Sequence, residues 1–187
     1  MEMQLESPRF RAESTPTGFR VAIPARRNWL LIIFLLAWLG GWVFGEVSVG
    51  KQLLSSTTQT PVAFMSFWVV GWTIGGAFAV TALLWQLAGY EVIEIQSSRL
   101  THRVQVFGIG RSRTFAASEV KDFRSVGYES SSFFNQRTLF PPIFGSGYGP
   151  VAFDYGARTF RVAPSLDDAE AKMLVAEFTR RLARSAR

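Results

Sequence analysis

The chain has 187 residues, 48% of them hydrophobic and 14% aromatic, with no cysteine, one histidine and a formal net charge of +6. The absence of cysteine excludes disulfides, thiolate metal centres and cysteine nucleophiles, and His102 alone leaves little for imidazole ligation or acid–base chemistry. The charge divides into about +2 before Trp29, 0 from Trp29 to Ala88 and +4 from Gly89 onward, without the concentrated stripe or module of a nucleic-acid binder.

Residues 1–17 mix charges, Pro and Ser without periodicity and read as a flexible N-terminal tail. In Gly18 to Pro24, Phe19, Val21 and Ile23 alternate with Arg20 and Ala22, a strand pattern that ends before the basic flank Arg26-Arg27. A single strand is not stable alone, so residues 18–28 are expected to join the sheet of the later domain.

Two apolar stretches follow, Trp29 to Val49 and Val62 to Ala88. As helices, both are long enough to cross a hydrocarbon core of roughly 30 Å. The linker Gly50 to Pro61 is short and polar, which predicts an antiparallel transmembrane hairpin over residues 29–88. Arg20, Arg26 and Arg27 precede the hairpin and Arg99, Arg103, Arg111 and Arg113 follow it, whereas the linker holds only Lys51. Both termini are therefore expected on the cytoplasmic side, as in a bacterial inner membrane. The long polar lead and the lack of a small-residue cleavage pattern make the first stretch an anchor, not a cleaved signal.

Within the spans, Gly41 and Gly45, and then Gly71, Gly75 and Ala79, recur four apart, the spacing at which helix backbones approach closely. They are candidates for helix packing, inside the hairpin or against another chain. Glu46 is the only acid in either span. It sits in the last turn of the first, within reach of the outer interface beside Lys51, and it is also the polar element that an ion pathway would need.

Beyond Gly89 the apolar period becomes two. Tyr90 to Ile95 and Leu100 to Phe107 read as strands about a turn at Ser97 and Ser98, with His102 in phase with Leu100, Val104 and Val106 as a hydrogen-bonded structural residue. Gly108 and Gly110 supply the next turn, Arg113 to Ala116 a third strand, and Val120 to Ser125 a fourth strand or a short turn. Val151 to Phe153 and Thr159 to Val162 pair about Asp154-Tyr155-Gly156-Ala157, where Gly156 can take a positive φ. A helix over 165–186 follows, with Ser165 as N-cap, Asp168 three residues on, and Ala171, Leu174, Val175, Phe178 and Leu182 on one face. Between strands lies the 24-residue segment Gly127 to Pro150, too rich in Gly, Pro and Ser for one regular element yet carrying Phe133, Phe134, Leu139, Phe140, Ile143, Phe144 and Tyr148. Those side chains either fold back over the sheet or contact the membrane interface or a partner.

The hairpin, the strand meander, the run Phe153-Asp154-Tyr155-Gly156-Ala157-Arg158-Thr159-Phe160-Arg161-Val162 and the helix start Leu166-Asp167-Asp168-Ala169-Glu170-Ala171 together resemble the bacterial membrane-anchored pleckstrin-homology-like proteins, over roughly Gly18 to Leu182. The layout is also similar, by architecture alone, to two-span photosystem assembly factors. The first resemblance implies an α+β membrane protein whose cytoplasmic domain, residues 89–187, is a small antiparallel sheet or partial barrel capped by a C-terminal helix. It brings no active site and no cofactor. Many pleckstrin-homology domains bind phosphoinositides through a basic first strand-to-strand loop, but the matching turn Ser97 to Arg99 holds one Arg, so the resemblance does not carry that recognition over.

No nucleophile elbow, phosphate loop, zincin motif or paired-carboxylate arrangement occurs, and Asp167, Asp168 and Glu170 have the positions of helix-capping acids. The expectation is a non-catalytic, membrane-anchored interaction or assembly module without cofactor, metal, nucleic acid or small-molecule substrate. Its partners would be the bilayer and a membrane protein or a second copy. The alternative is a subunit of a small oligomeric transporter or channel that uses Glu46.

Overall fold

The computed structural model describes residues 9–15, 18–55, 62–96, 98–127 and 149–185. They form two compact units: residues 27–87, a helical hairpin, and residues 1–26 with 88–187, an α+β domain.

The hairpin consists of α1 (Trp29–Leu54) and α2 (Val62–Ala88). Both are long and apolar enough to cross a membrane. Leu30, Ile33, Phe34, Phe44, Phe67 and Ile74 are exposed around their outer surfaces, far more contiguous apolar area than a soluble helix pair leaves in water. Helix α1 starts at an N-cap, Asn28, whose side chain accepts from the Leu31 N–H at 3.2 Å. It continues past Val49, where the hydropathy pattern ends, because Lys51 and Gln52 are good helix formers that carry the single Gly50, and Lys51 suits the C-terminal end of the dipole.

In the second unit, β1 (Arg11–Thr15), β2 (Gly18–Pro24), β3 (Gly89–Gln96), β4 (Arg99–Val106) and β5 (Ile109–Ala116) form an antiparallel sheet in sequential order. A 3-10 turn at Ala117–Glu119 leads to a second antiparallel sheet of β6 (Val120–Ser125), β7 (Val151–Tyr155) and β8 (Arg158–Val162), and then to α3 (Asp168–Ser185). Strand β2 joins the later domain as its alternation requires: Phe19, Val21 and Ile23 are buried and face β3 across a seven-residue register. The core lies between the inner faces of the two sheets and α3. Phe178 of α3 meets Phe19 edge-on at 5.5 Å and stacks on Phe123 at 5.0 Å, while Phe115 meets Phe153 at 5.3 Å.

Two sequence expectations need correction, and one open alternative is decided. The supposed tail contains β1, paired with β2 from Arg11↔Ala22 to Thr15↔Gly18. Its side chains from Arg11 to Ser14 are exposed, so this edge strand has no buried phase for a periodicity reading to detect. Val120 to Ser125, left open between strand and turn, is a strand. Helix α3 begins at Asp168 instead of Ser165: Asp167 Oδ1 accepts from the Glu170 N–H at 2.8 Å and Glu170 Oε2 accepts from the Asp167 N–H at 3.0 Å, a reciprocal capping box.

Candidate functional site

The hairpin packs along a seam spaced alternately by three and four residues. On α1 it runs through Ile32, Leu35, Leu39, Trp42 and Glu46, and on α2 through Val69, Trp72, Gly76, Ala79 and Leu83. Ala79 lies in this seam. Gly45 approaches only the Trp72 ring, at 3.9 Å, and a Cβ on Gly41, Gly71 or Gly75 would meet nothing within 4 Å. The close approach falls one residue along, at Gly76, where a Cβ would stand 2.2 Å from the Trp42 ring. The Trp42 indole lies in that gap and donates to the Trp72 carbonyl at 3.0 Å. Gly41, Gly71 and Gly75 are thus not the intra-hairpin packing positions.

Polar contacts mark both ends of the seam. At the end next to the domain sequence, Gln86, 1% exposed, accepts from the Asn28 N–H at 3.0 Å, and Arg27 donates to the Leu87 carbonyl at 3.3 Å. Toward the other end, Thr73 Oγ1 donates to Glu46 Oε1 at 2.5 Å. Glu46 is therefore turned toward α2, and among the described residues it makes no ion pair with Lys51. Its second oxygen is buried without a hydrogen-bond partner, beside a cleft of about 60 Å³ lined by Val49, Trp68, Val69 and Trp72.

The domain holds a polar pair inside its apolar core. His102 Nε2 lies 2.5 Å from Glu91 Oε1, and the same oxygen accepts from the Ala163 N–H at 3.0 Å. Glu91 is 2% and His102 5% exposed. The pairing Ile93↔His102 and Glu91↔Val104 puts both side chains on the inner face as diagonal neighbours. Ala163, at φ 63°, closes the bend from β8 toward α3, so the carboxylate fixes a left-handed turn as well as an imidazole. His102 has the hydrogen-bonded place expected of it. Its partner was missed, although Glu91 stands in phase with Ile93 and Ile95, where an acid among core residues is itself a signal.

The aromatic candidates Phe133, Phe134, Leu139, Phe140, Ile143, Phe144 and Tyr148 lie outside the described residues. The described residues that flank them are fixed by hydrogen bonds. The Val126 N–H donates to the Pro150 carbonyl at 2.8 Å, Arg161 Nε donates to the Gly149 carbonyl at 3.0 Å, and a Cβ on Gly149 would overlap the Val162 carbonyl oxygen. The described residues on either side, Val126 and Gly149-Pro150, thus lie next to each other.

Around the β7–β8 turn, Asp154 accepts from Arg124 Nη1 at 3.0 Å and from Thr159 Oγ1 at 2.6 Å. The hydrogen bond from Arg124, followed by that from Thr159, holds the Asp154 carboxyl below its usual range. Among the described residues no group of three or more His, Asp or Glu side chains could hold a metal ion. No known family model matches the sequence, and comparison with curated proteins finds no relative.

Proposed function

We propose that the chain is a membrane-anchored, non-catalytic interaction module: α1 and α2 span the bilayer, and the α+β domain is held at the cytoplasmic leaflet to engage a membrane protein or the lipid surface. The observation that carries this reading is the pairing of β2 with β3 across the hairpin. These strands precede α1 and follow α2, so if both helices span, both flanks lie on one side, and the arginine bias makes that side cytoplasmic.

The strand count supports the likeness to pleckstrin-homology-like proteins. With β1 set aside as an added edge, β2 to β5 and then β6 to β8 followed by α3 give four strands, three strands and a C-terminal helix. In that frame the hairpin, and not the Ser97–Arg99 turn matched from the sequence, occupies the first strand-to-strand connection, the place from which many pleckstrin-homology domains bind phosphoinositides. Anchoring would then stand in for lipid-headgroup affinity at that connection. The buried groups favour a structural over a chemical role, since Glu91 Oε1, His102 and Glu170 each make hydrogen bonds that hold the fold, while Glu91 Oε2 is buried without a partner.

The test is a mild-detergent purification of the tagged full chain beside a version shortened between Phe133 and Tyr148. A membrane protein in fixed ratio, lost on shortening, is the expected result. An unchanged set of companions would remove the aromatic segment from the reading, and the absence of any partner or lipid engagement would sink it. A second reading, a small oligomeric transporter or channel subunit, is favoured by the unpartnered Glu46 oxygen inside the hairpin. It requires flux in proteoliposomes that Glu46→Gln abolishes.

A further inference from the structure

The β4–β5 turn is built against its own stability. Its two central residues are Phe107 at φ 50° and Gly108 at φ 81°, the pair of positive angles that a two-residue hairpin turn selects. Asn, Asp or Gly normally fills the first of these positions, because a bulky side chain there crowds the backbone. Phe107 occupies it and leaves its ring 70% exposed, and Ile109, just past the turn, is 79% exposed. Neither side chain adds to the core, and one occupies an unfavourable backbone conformation. A strained residue that serves no packing purpose points to an external contact.

The surroundings define what that contact is. From Gln96 to Ser118 the chain has four arginines and no acid. Arg103 and Arg111 line an open cleft of about 260 Å³ with Gln105, Gly108, Gly110 and Ser112 at the base of the turn, and neither arginine is ion-paired among the described residues. The register supplies the location. Gly89, which directly follows the last residue of α2, pairs with Val106, the residue before Phe107. Adjacent strands lie about 4.8 Å apart, so the apolar tip is roughly one to two strand spacings from the point where the chain leaves α2.

We infer that the Phe107-Gly108-Ile109 turn is a membrane-docking tip whose apolar side chains enter the interfacial zone of an anionic leaflet while Arg103 and Arg111 take lipid phosphates in the adjoining cleft. Each basic group near an anionic surface raises the local affinity about fivefold, and a ring and a branched aliphatic chain supply the apolar part of an interfacial anchor. The contact would fix the domain against the leaflet as a second attachment beside the spans. It rests on the reading of α1 and α2 as membrane spans.

The absence of cysteine allows a direct test on the full chain. Ile109→Cys, labelled with a polarity-sensitive fluorophore, is reconstituted in phosphatidylcholine bilayers with or without phosphatidylglycerol, each carrying nitroxide-labelled lipid as quencher. Strong quenching is expected in the anionic bilayers, with a several-fold decrease in neutral ones, at high salt, or in the double variant Arg103→Gln, Arg111→Gln. Phe107→Asn guards against misfolding, because Asn suits the positive φ: thermal stability should hold or rise while quenching falls. A probe that stays unquenched in both bilayers, or equally quenched in both, overturns the inference. If a membrane protein still co-purifies while the tip is unquenched, only the lipid contact fails; if neither is found, the module reading fails with it.

Discussion

The hairpin and the α+β domain solve the same problem, holding elements together, by opposite means. In the domain, apolar side chains such as Phe153, Leu174 and Phe178 are wholly buried, and polar groups guide chain turns. In the hairpin, apolar side chains cover the outside, and the seam is set by a missing side chain at Gly76 and by polar contacts, Asn28 with Gln86 and Thr73 with Glu46. If α1 and α2 lie in a bilayer, as proposed, the difference follows from the solvent. In water, burial of apolar area drives packing, whereas in lipid the surroundings are as apolar as the seam, leaving close fit and hydrogen bonds to decide which faces meet.

This contrast can be broken at its strongest point by Phe178→Ala, which removes the ring between Phe19 and Phe123. It should cost the domain about 3–5 kcal/mol and abolish its cooperative melting at physiological temperature, while the hairpin's helical signal in detergent persists. Next in size, His102→Leu leaves Glu91 buried with only the Ala163 N–H, at a cost of about 3 kcal/mol in chemical denaturation; an unchanged midpoint would mean the carboxylate has another partner.

In the hairpin, Gly76→Ala drives a methyl into the Trp42 ring and should cost about 1–3 kcal/mol, read as a loss of energy transfer between probes on the two helices. Gly75→Ala, with open space at its Cβ, is the matched control and should leave that signal unchanged. Thr73→Val, which removes the hydroxyl given to Glu46, should weaken the helix pair by about 0.6 kcal/mol in the same assay. The smallest effect belongs to Asp154. Its carboxyl is depressed by Arg124 and Thr159, so its contribution is present above the ordinary aspartate range and is lost as pH falls through the lowered folded-state value. Below about pH 4 the wild type should therefore lose slightly more melting temperature than Asp154→Asn does.

Legibility in the sequence tracked the same division. The two long helices were readable because apolar length is a one-dimensional property, and β2 was readable because one of its faces is buried. Strand β1 was not, since its described side chains are all exposed. The small-residue spacing misled by one position: Gly71, Gly75 and Ala79 lie strictly four apart, but a seam on a 3.6-residue helix alternates steps of three and four and passes through Gly76. The helix cap was ambiguous for a related reason. Ser165 with Asp168 and Asp167 with Glu170 have the same spacing, and only the buried Leu166 and the turn at Ala163 select the second pair. The Glu91–His102 contact joins residues eleven apart in sequence on adjacent strands, and single-strand patterning does not name partners.

The insertion of α1 and α2 between paired neighbours β2 and β3 has a consequence for biosynthesis. During synthesis β2 emerges first and must wait, with Phe19, Val21 and Ile23 uncovered, until both helices have been made and β3 follows. If one span fails to insert, the two strands end on opposite sides of the bilayer and the sheet has no way to close. On the proposed topology, completion of the domain would thereby require both helices to have inserted, and a misinserted chain would be left with the apolar face of β2 uncovered.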